Sequence, residues 1–494
     1  MVGGAVGTQE VDVLIVGAGI SGIGAAYHVK TMCPNRTFAV IEGRDQLGGT
    51  WDLFRYPGVR SDSDMHTLGY RFKPWTSRKA IADGPSILAY LRETVEEFDL
   101  ARHITYGVHV TRAEWSSAEG RWSVSARQNG EEVTYSCMYL FMCTGYYRYS
   151  KGFEAEIPGL SSFSGTVVHP QFWPKDLDYA GKRVVVIGSG ATAMTIVPSM
   201  AQTAAHVTML QRSPTYVVAR PDVDSFAELL RKFLPAKVAY RIVRFKNTTM
   251  QQFFYKRMRA YPQQAKERLM GFVREAVGGI VDVDTHFNPT YFPWDQRLCL
   301  LPNGDLFEAL KAGTASIVTD TIRTVDARGI ELSSGSRIDA DIIVTATGLH
   351  LVTLGEVDFA KDGEPIDFSQ TWTYKGMSYS GVPNLATSFG YINASWTLRA
   401  DLTCEYVCRV LNHMEKVGAT VCTPTLRDGD ESMPQRPWVD GFTPGYMNRV
   451  MHLMPKQGDR EPWLNPQDYK RDIDLFRKSP VDDGVMRFTT PVPA

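Results

Sequence analysis

Two glycine-rich stretches carry the clearest chemical signal in this sequence. Gly17-Ala18-Gly19-Ile20-Ser21-Gly22 follows the β-branched run at 11–16 and opens a segment of helical spacing. A second strand-like run, 37–42 (TFAVIE), ends on Glu42, twenty residues after Gly22. Each part has a physical task. Gly17, Gly19 and Gly22 let backbone approach a pyrophosphate, and the helix N-terminus at Ser21 offers N–H groups to its charge. Glu42 accepts bonds from ribose hydroxyls. A glycine turn kept for packing alone is the competing reading, and the complete strand–turn–helix–strand–acid set argues against it.

The pattern recurs. Residues 182–187 read as a strand, Gly188-Ser189-Gly190-Ala191-Thr192-Ala193 opens a helix, and the next strand runs into Gln211-Arg212-Ser213. No acid stands at the ribose position; Arg212 lies there, nineteen residues after Ala193. A cation suits a 2′-phosphate, so this site is expected to prefer NADP to NAD. An exposed Arg at a strand end would be unremarkable without the βαβ context. A plain ribose at the first site and a phosphorylated one at the second suggest FAD plus NADPH.

These turns need scaffolds. Two steps from strand to Thr-Gly, at 140–145 and 340–348, suit returns from an inserted domain to the first one. The expected fold is α/β, with two Rossmann-like domains and the NADP domain inserted in the FAD domain. The FAD domain would comprise 1–165 and 350–494, and the NADP domain 176–222 and 297–345. A helical insertion would fill 223–296. Within it, 225–275 holds twelve Lys/Arg against three Glu, with apolar residues at three-to-four spacing. It reads as an amphipathic cap over the site, with peripheral membrane contact as the lesser alternative. The Pro-, Gly- and charge-rich segment 424–440 reads as a surface loop.

Composition narrows the class. At 494 residues, roughly 100–200 per domain implies two to four domains. Lys+Arg number 53 and Asp+Glu 54, a net charge of −1, so no overall basic footprint for nucleic acid exists. The seven cysteines, Cys33, Cys137, Cys143, Cys299, Cys404, Cys408 and Cys422, form no CxxC pair. That argues against a disulfide framework, a zinc ribbon and a thiol–disulfide flavoenzyme, and fits a reducing, cytoplasmic setting. Cys404 and Cys408, which could share a helix face, read as packing residues. The N-terminus lacks the basic region of a signal peptide, and no run reaches the roughly 18 apolar residues of a membrane span. Metal-ligand clusters and a GxSxG elbow are not evident; Ser189 belongs to a phosphate turn.

Two longer motifs are more specific. Residues 48–62, GGTWDLFRYPGVRSD, fit GGxWxxxxYPGxxxD, and 163–174, FSGTVVHPQFWP, fit FxGxxxHxxxWP. Both resemble the fingerprints of type I Baeyer–Villiger monooxygenases, the class B flavoprotein monooxygenases. Further stretches, VIGSGATA, MLQRSPTYV, FPWDQRLCLLPNGDLF and GYINASWTLRADL, are similar to the ethionamide-activating mycobacterial branch of that family. The resemblance covers almost the whole chain after residue 10.

The resemblance implies a two-stage reaction. NADPH reduces FAD, and reduced flavin takes up O2 as a C4a-peroxyflavin. Its anion inserts oxygen beside a ketone carbonyl to give an ester or lactone, and its protonated form oxidises thioethers or thioamides. Small ketones or organosulfur compounds are therefore the expected substrates. Arg297 matches the family's catalytic Arg, a permanent cation for an anionic peroxide and oxyanion. Asp62 matches the carboxylate that orients it. By spacing alone, an ion pair of Arg297 with Asp295 or Asp305 would be the simpler reading. Thr50 and Trp51 are expected against the flavin, the Val110 backbone at the adenine, and Asn393, Ser395 and Trp396 towards the substrate. Phe163, Gly165, His169 and Trp173 are expected to link the two nucleotide domains, His169 by coupling their movement and not as a proton shuttle. The rivals are a flavin monooxygenase of amines or sulfides and an FAD-holding redox sensor without turnover.

Overall fold

The computed structural model describes residues 8–491. Residues 1–7, the first part of the N-terminal stretch read for a leader signal, and residues 492–494 lie outside it.

The chain opens with β1 (Gln9–Val16), α1 (Ile20–Met32) and β2 (Phe38–Glu42). β1 runs parallel between β2 and the later β6, and its apolar end is buried on both faces, Val13 and Ile15 in one core and Leu14 and Val16 in another. Short helices α2 (Thr50–Leu53) and α3 (Met65–Leu68) and the longer α4 (Gly84–Glu97) follow. The strands β3 (Ile104–Tyr106), β4 (Val108–Ser116), β5 (Arg121–Gln128) and β6 (Glu131–Met142) complete most of a nine-stranded sheet. Asp358–Lys361, Glu364–Pro365 and Leu385–Thr387 join the same sheet from far along the chain. The helix Trp396–Val417 packs on α1 and closes the core.

The second sheet has five parallel strands. It contains β7 (Thr166–Val168), β8 (Arg183–Ile187), β9 (His206–Gln211), Ala315–Thr319 and Ile342–Thr345, with α5 (Ala191–Met200) after β8. Three details differ from the expected layout. β7 belongs to the second sheet, paired with Ile342–Val344, although it precedes residue 176. Cys299–Pro302 pairs outside that sheet, with Val217–Arg220, and residues 322–339 form a separate three-stranded antiparallel sheet. The segment 424–440 is anchored: Trp438 and Val439 are buried, and the Trp463 indole N–H donates to Asp430 at 2.8 Å. Between these anchors the segment is irregular and largely exposed, as expected of a surface loop.

The insertion is helical: α6 (Ser225–Arg231), α7 (Ala236–Ala260), α8 (Pro262–Val277) and a last turn at Val283–His286. Buried Arg244 fastens α7 to the first domain, donating through one nitrogen to the carbonyls of His66, Thr67 and Gly69 at 2.9, 3.1 and 2.7 Å. No helix among the described residues is long and apolar enough to cross a membrane. The seven cysteines are all buried and unpaired.

Candidate active site

The first glycine turn is backed closely by other backbone. Gly17 takes φ +106°, and a Cβ there would lie 2.6 Å from the Cys143 carbonyl oxygen. A Cβ on Gly22 would overlap the Gly17 carbonyl oxygen. The third glycine thus lets α1 start against the turn, while Gly19 faces the Gly49 backbone at ordinary contact distance. Glu42 ends β2 in a buried position and accepts from the Ala18 and Arg44 backbone N–H groups at 2.7 and 2.9 Å. Burial pushes its carboxyl up, and those two bonds hold it back. Each oxygen keeps a lone pair for a hydroxyl donor.

The second turn is more open. Gly188, at φ +136°, sits against the Ala346 carbonyl, but nothing stands within 4 Å of a Cβ on Gly190. The Ser189 hydroxyl donates to the Ser213 carbonyl at 2.9 Å, tying the turn to the end of β9. Ala193 is buried in the domain core. Arg212 stands exposed just beyond β9 and makes no ion pair among the described residues.

Both turns open onto one cavity of about 1010 Å³. Gly17, Gly19, Ser21, Glu42, Thr50, Trp51 and Val110 line it from the first domain, and Gly190, Ala191 and Thr192 from the second. Gly22, Gly188, Ser189, Ala193, Arg212 and Ser213 do not reach it.

Arg297 lies on the cavity wall with Asp62, Tyr146, Tyr147 and Tyr446. Its two candidate surface partners are engaged elsewhere: Asp295 pairs with Arg259 at 2.6 Å, and Asp305 with Arg60 at 2.5 Å. Its buried Nε has no hydrogen-bond partner among the described residues. Burial works against its charge, but the Tyr446, Tyr146 and Tyr147 oxygens and Asp62 outweigh this and hold the guanidinium protonated. Asp62 faces the same space; burial pushes its carboxyl up, with Arg297 and then Arg60 acting against it. No ion pair joins Asp62 to Arg297 among the described residues, so the two share a cavity without touching.

Comparison with known proteins decides the family. A family profile described as NAD(P)-binding Rossmann-like domain matches residues 15–77, and one described as flavin-binding monooxygenase-like matches 81–266. The FAD-containing monooxygenase EthA of Mycobacterium tuberculosis (strain ATCC 25618 / H37Rv) is 49% identical over 482 residues, 97% of this chain and 98% of that protein. The chain belongs to the FAD-containing monooxygenase family. Among solved structures, an oxidised steroid monooxygenase bound to NADP shares the fold, with TM-score 0.77 at 23% identity, covering 98% of this chain and 100% of that one. An open cyclohexanone monooxygenase gives TM-score 0.69 at 25% identity, covering 85% and 90%.

The residues of this monooxygenase fit the dinucleotides that the family name and fold imply. The walled turn with its acid suits one adenosine pyrophosphate, and the open turn with unpaired Arg212 suits a phosphorylated one. Arg297 lines the space between them.

The FxGxxxHxxxWP stretch lies in the second domain around β7, and only His169 and Gln171 reach the crossover between the domains. The crossovers at 146–148 and 350–352 bond to each other: Arg148 N–H donates to His350 O at 2.9 Å, and Val352 N–H to Tyr146 O at 3.0 Å. The His169 ring lies against Gly152, where any Cβ would strike it. His169 Nδ1 accepts from Gln171 N–H at 3.2 Å, and Gln171 Nε2 donates to Arg148 O at 2.7 Å. Burial pushes the imidazole below its ordinary value, with the Phe153 and Gly348 backbone pulling back. Phe163 is buried in the second domain, Gly165 makes room for the Phe163 ring and the Asp341 carbonyl, and Trp173 packs at its edge.

The YPG stretch also bridges the domains. Gly58, at φ +75°, lies where a Cβ would come within 2.9 Å of Ser199 on α5. Of the three residues expected towards the substrate, only Trp396 lines the cavity, stacked on Tyr146 at 5.1 Å with its N–H donated to Ser21 Oγ at 2.7 Å. The Ser395 hydroxyl is spent on Thr67 at 2.6 Å, and the Asn393 amide donates to Gln467 O at 3.0 Å. Ala394 takes the wall position instead. Sequence reasoning missed Tyr146, Tyr147, Tyr391 and Tyr446. Tyr146 and Tyr147 directly follow the 143–145 step, a signal that was present; Tyr446 lies in an irregular segment that carries none.

Proposed function

We propose that this enzyme uses NADPH and O2 to oxidise a small ketone to an ester or lactone, and organosulfur compounds at sulfur. Bound FAD supplies hydride acceptance and oxygen transfer. The carrying observation is Arg297, a cation on the wall of the cavity that both glycine turns share, with no ion-pair partner among the described residues. The N-terminus of α1 and the walled turn hold one pyrophosphate. Arg212 holds the 2′-phosphate of the second nucleotide. Arg297 meets negative charge developing on the carbonyl oxygen, and the aromatic wall of Trp396 and Tyr146 limits competing water. Asp62 balances the Arg297 charge across the cavity without a direct bond. His169 joins the two crossovers on which the domains turn. The same reading places the enzyme in a reducing compartment, with peripheral contact to an anionic surface through its basic helices.

The test is direct. Holoenzyme is mixed anaerobically with NADPH, then given oxygen and a panel of linear, cyclic and aryl ketones beside thioethers. Flavin bleaching followed by ester or lactone, identified by mass spectrometry, is expected. Sulfoxide without any ester would overturn the ketone reading in favour of an N- or S-monooxygenase. Bound flavin that NADPH never bleaches would overturn both.

A further inference from the structure

Helix α7 is apolar on two opposite sides. Tyr240, Val243 and Thr248 face inward and are buried. Val238, Ile242, Phe245 and Phe253, at i, i+4, i+7 and i+15, share the other side, and all are exposed. Phe245 is 72% exposed, and Phe233, between α6 and α7, is 77% exposed. Phe226 and Leu229 on α6 extend the patch, with the Lys246 ammonium over the Phe226 ring at 4.7 Å. A soluble surface rarely gathers so many large apolar side chains without a partner.

The cations there are equally unspent. Lys232, Lys237 and Arg241 are exposed and have no acidic partner among the described residues. Other basic residues of the insertion are consumed by packing, such as Arg244 on the α3 carbonyls and Arg231 on the Ser77 and Trp75 carbonyls at 2.9 Å each. Helices that lie in a membrane interface sink an aromatic and aliphatic face into the headgroup boundary and keep Lys/Arg beside it for anionic lipids, the combination this surface carries. Six of the twelve Lys/Arg in 225–275 pair with acids, so the free positive charge beside the apolar patch is that of Lys232, Lys237 and Arg241.

We infer that the outer face of α6 and α7 docks the enzyme on a lipid surface bearing anionic headgroups. The inference rests on the peripheral contact in the proposed function and not on the oxygen chemistry. The same helix buttresses the Arg297 segment, through Tyr255 against Trp294 at 5.3 Å and Arg259 with Asp295 at 2.6 Å. Docking therefore sets the catalytic segment close to the membrane plane, where apolar substrates partition.

The experiment uses holoenzyme and sedimentable vesicles of phosphatidylglycerol mixed with phosphatidylcholine, or of phosphatidylcholine alone. Binding to the anionic vesicles, weakened by salt, is expected. Lys237→Glu with Arg241→Glu should lower partition at least five-fold for each site, roughly 1 kcal/mol per basic residue. Phe233→Ser with Phe245→Ser should abolish it. Oxidation of a water-soluble thioether should be unchanged in both variants, which separates docking from catalysis. No sedimentation with anionic vesicles, or unchanged sedimentation in both variants, would overturn the inference. So would self-association of the parent that the Phe variant loses, since that assigns the patch to a second copy.

Discussion

The two glycine turns share a sequence grammar and differ in their surroundings. At the first, Gly17 and Gly22 touch backbone that cannot yield, and the acid at the end of β2 is buried. At the second, Gly188 is pressed as closely on the Ala346 carbonyl, but Gly190 faces open space and the cation beyond β9 is exposed. One motif can therefore build a fixed cradle or an accessible rim, depending on what is packed around it. In the proposed cycle, a cofactor that stays through turnover suits the cradle, and one that exchanges each turn suits the rim.

The largest effect should come from filling each turn. Gly22→Ala forces a methyl into the Gly17 carbonyl, so it should cost on the order of 3 kcal/mol and yield protein without flavin. Gly190→Ala should stay within about 0.5 kcal/mol and keep its yellow colour. Thermal melts and the flavin-to-protein absorbance ratio check both, and equal losses would erase the distinction. Next, Arg297→Ala should slow ester formation by roughly 10²–10³-fold while flavin binding and anaerobic bleaching by NADPH persist. Ester formation near the parent rate would remove Arg297 from the role assigned to it.

A smaller change is expected at the rim. Arg212→Ala should reduce the preference for NADPH over NADH by roughly 10–100-fold, the worth of bonds to one charged group. Steady-state KM for each nucleotide reads this, and flavin content should not move. The smallest effect concerns His169, whose folded-state value lies below the ordinary 6.5 because of burial. Between those values the unfolded chain binds the extra proton. Stability should therefore fall as pH drops through that window and recover above it. His169→Gln should flatten this part of the melting-temperature profile; an unaltered slope would show that other groups set it.

Much of the fold was legible. The β-branched runs before Gly17 and Gly188 are of the kind expected for buried parallel strands, and the steps at Gly145 and Gly348 precede the passages of the chain from one sheet to the other. Less of the site could be read. Ser395 looked suited to substrate, yet its hydroxyl is spent on Thr67. Asp62 looked like the Arg297 partner, yet the two only share a cavity. Hydrogen-bond competition of this kind involves residues hundreds of positions apart, and no local spacing encodes it.

The sequence alone determined two βαβ nucleotide units, the acid at one and the cation at the other, and the long motifs that join them. These follow from neighbouring residues, where periodicity and glycine conformation act locally. Tertiary structure decided which glycines are walled in, that Asp295 and Asp305 are taken by other arginines, and that Arg297 stands on the wall of the shared cavity without an ion pair among the described residues. It also decided that one face of α7 stays uncovered. Burial and charge pairing depend on what the folded chain brings near, and that is a property of the whole.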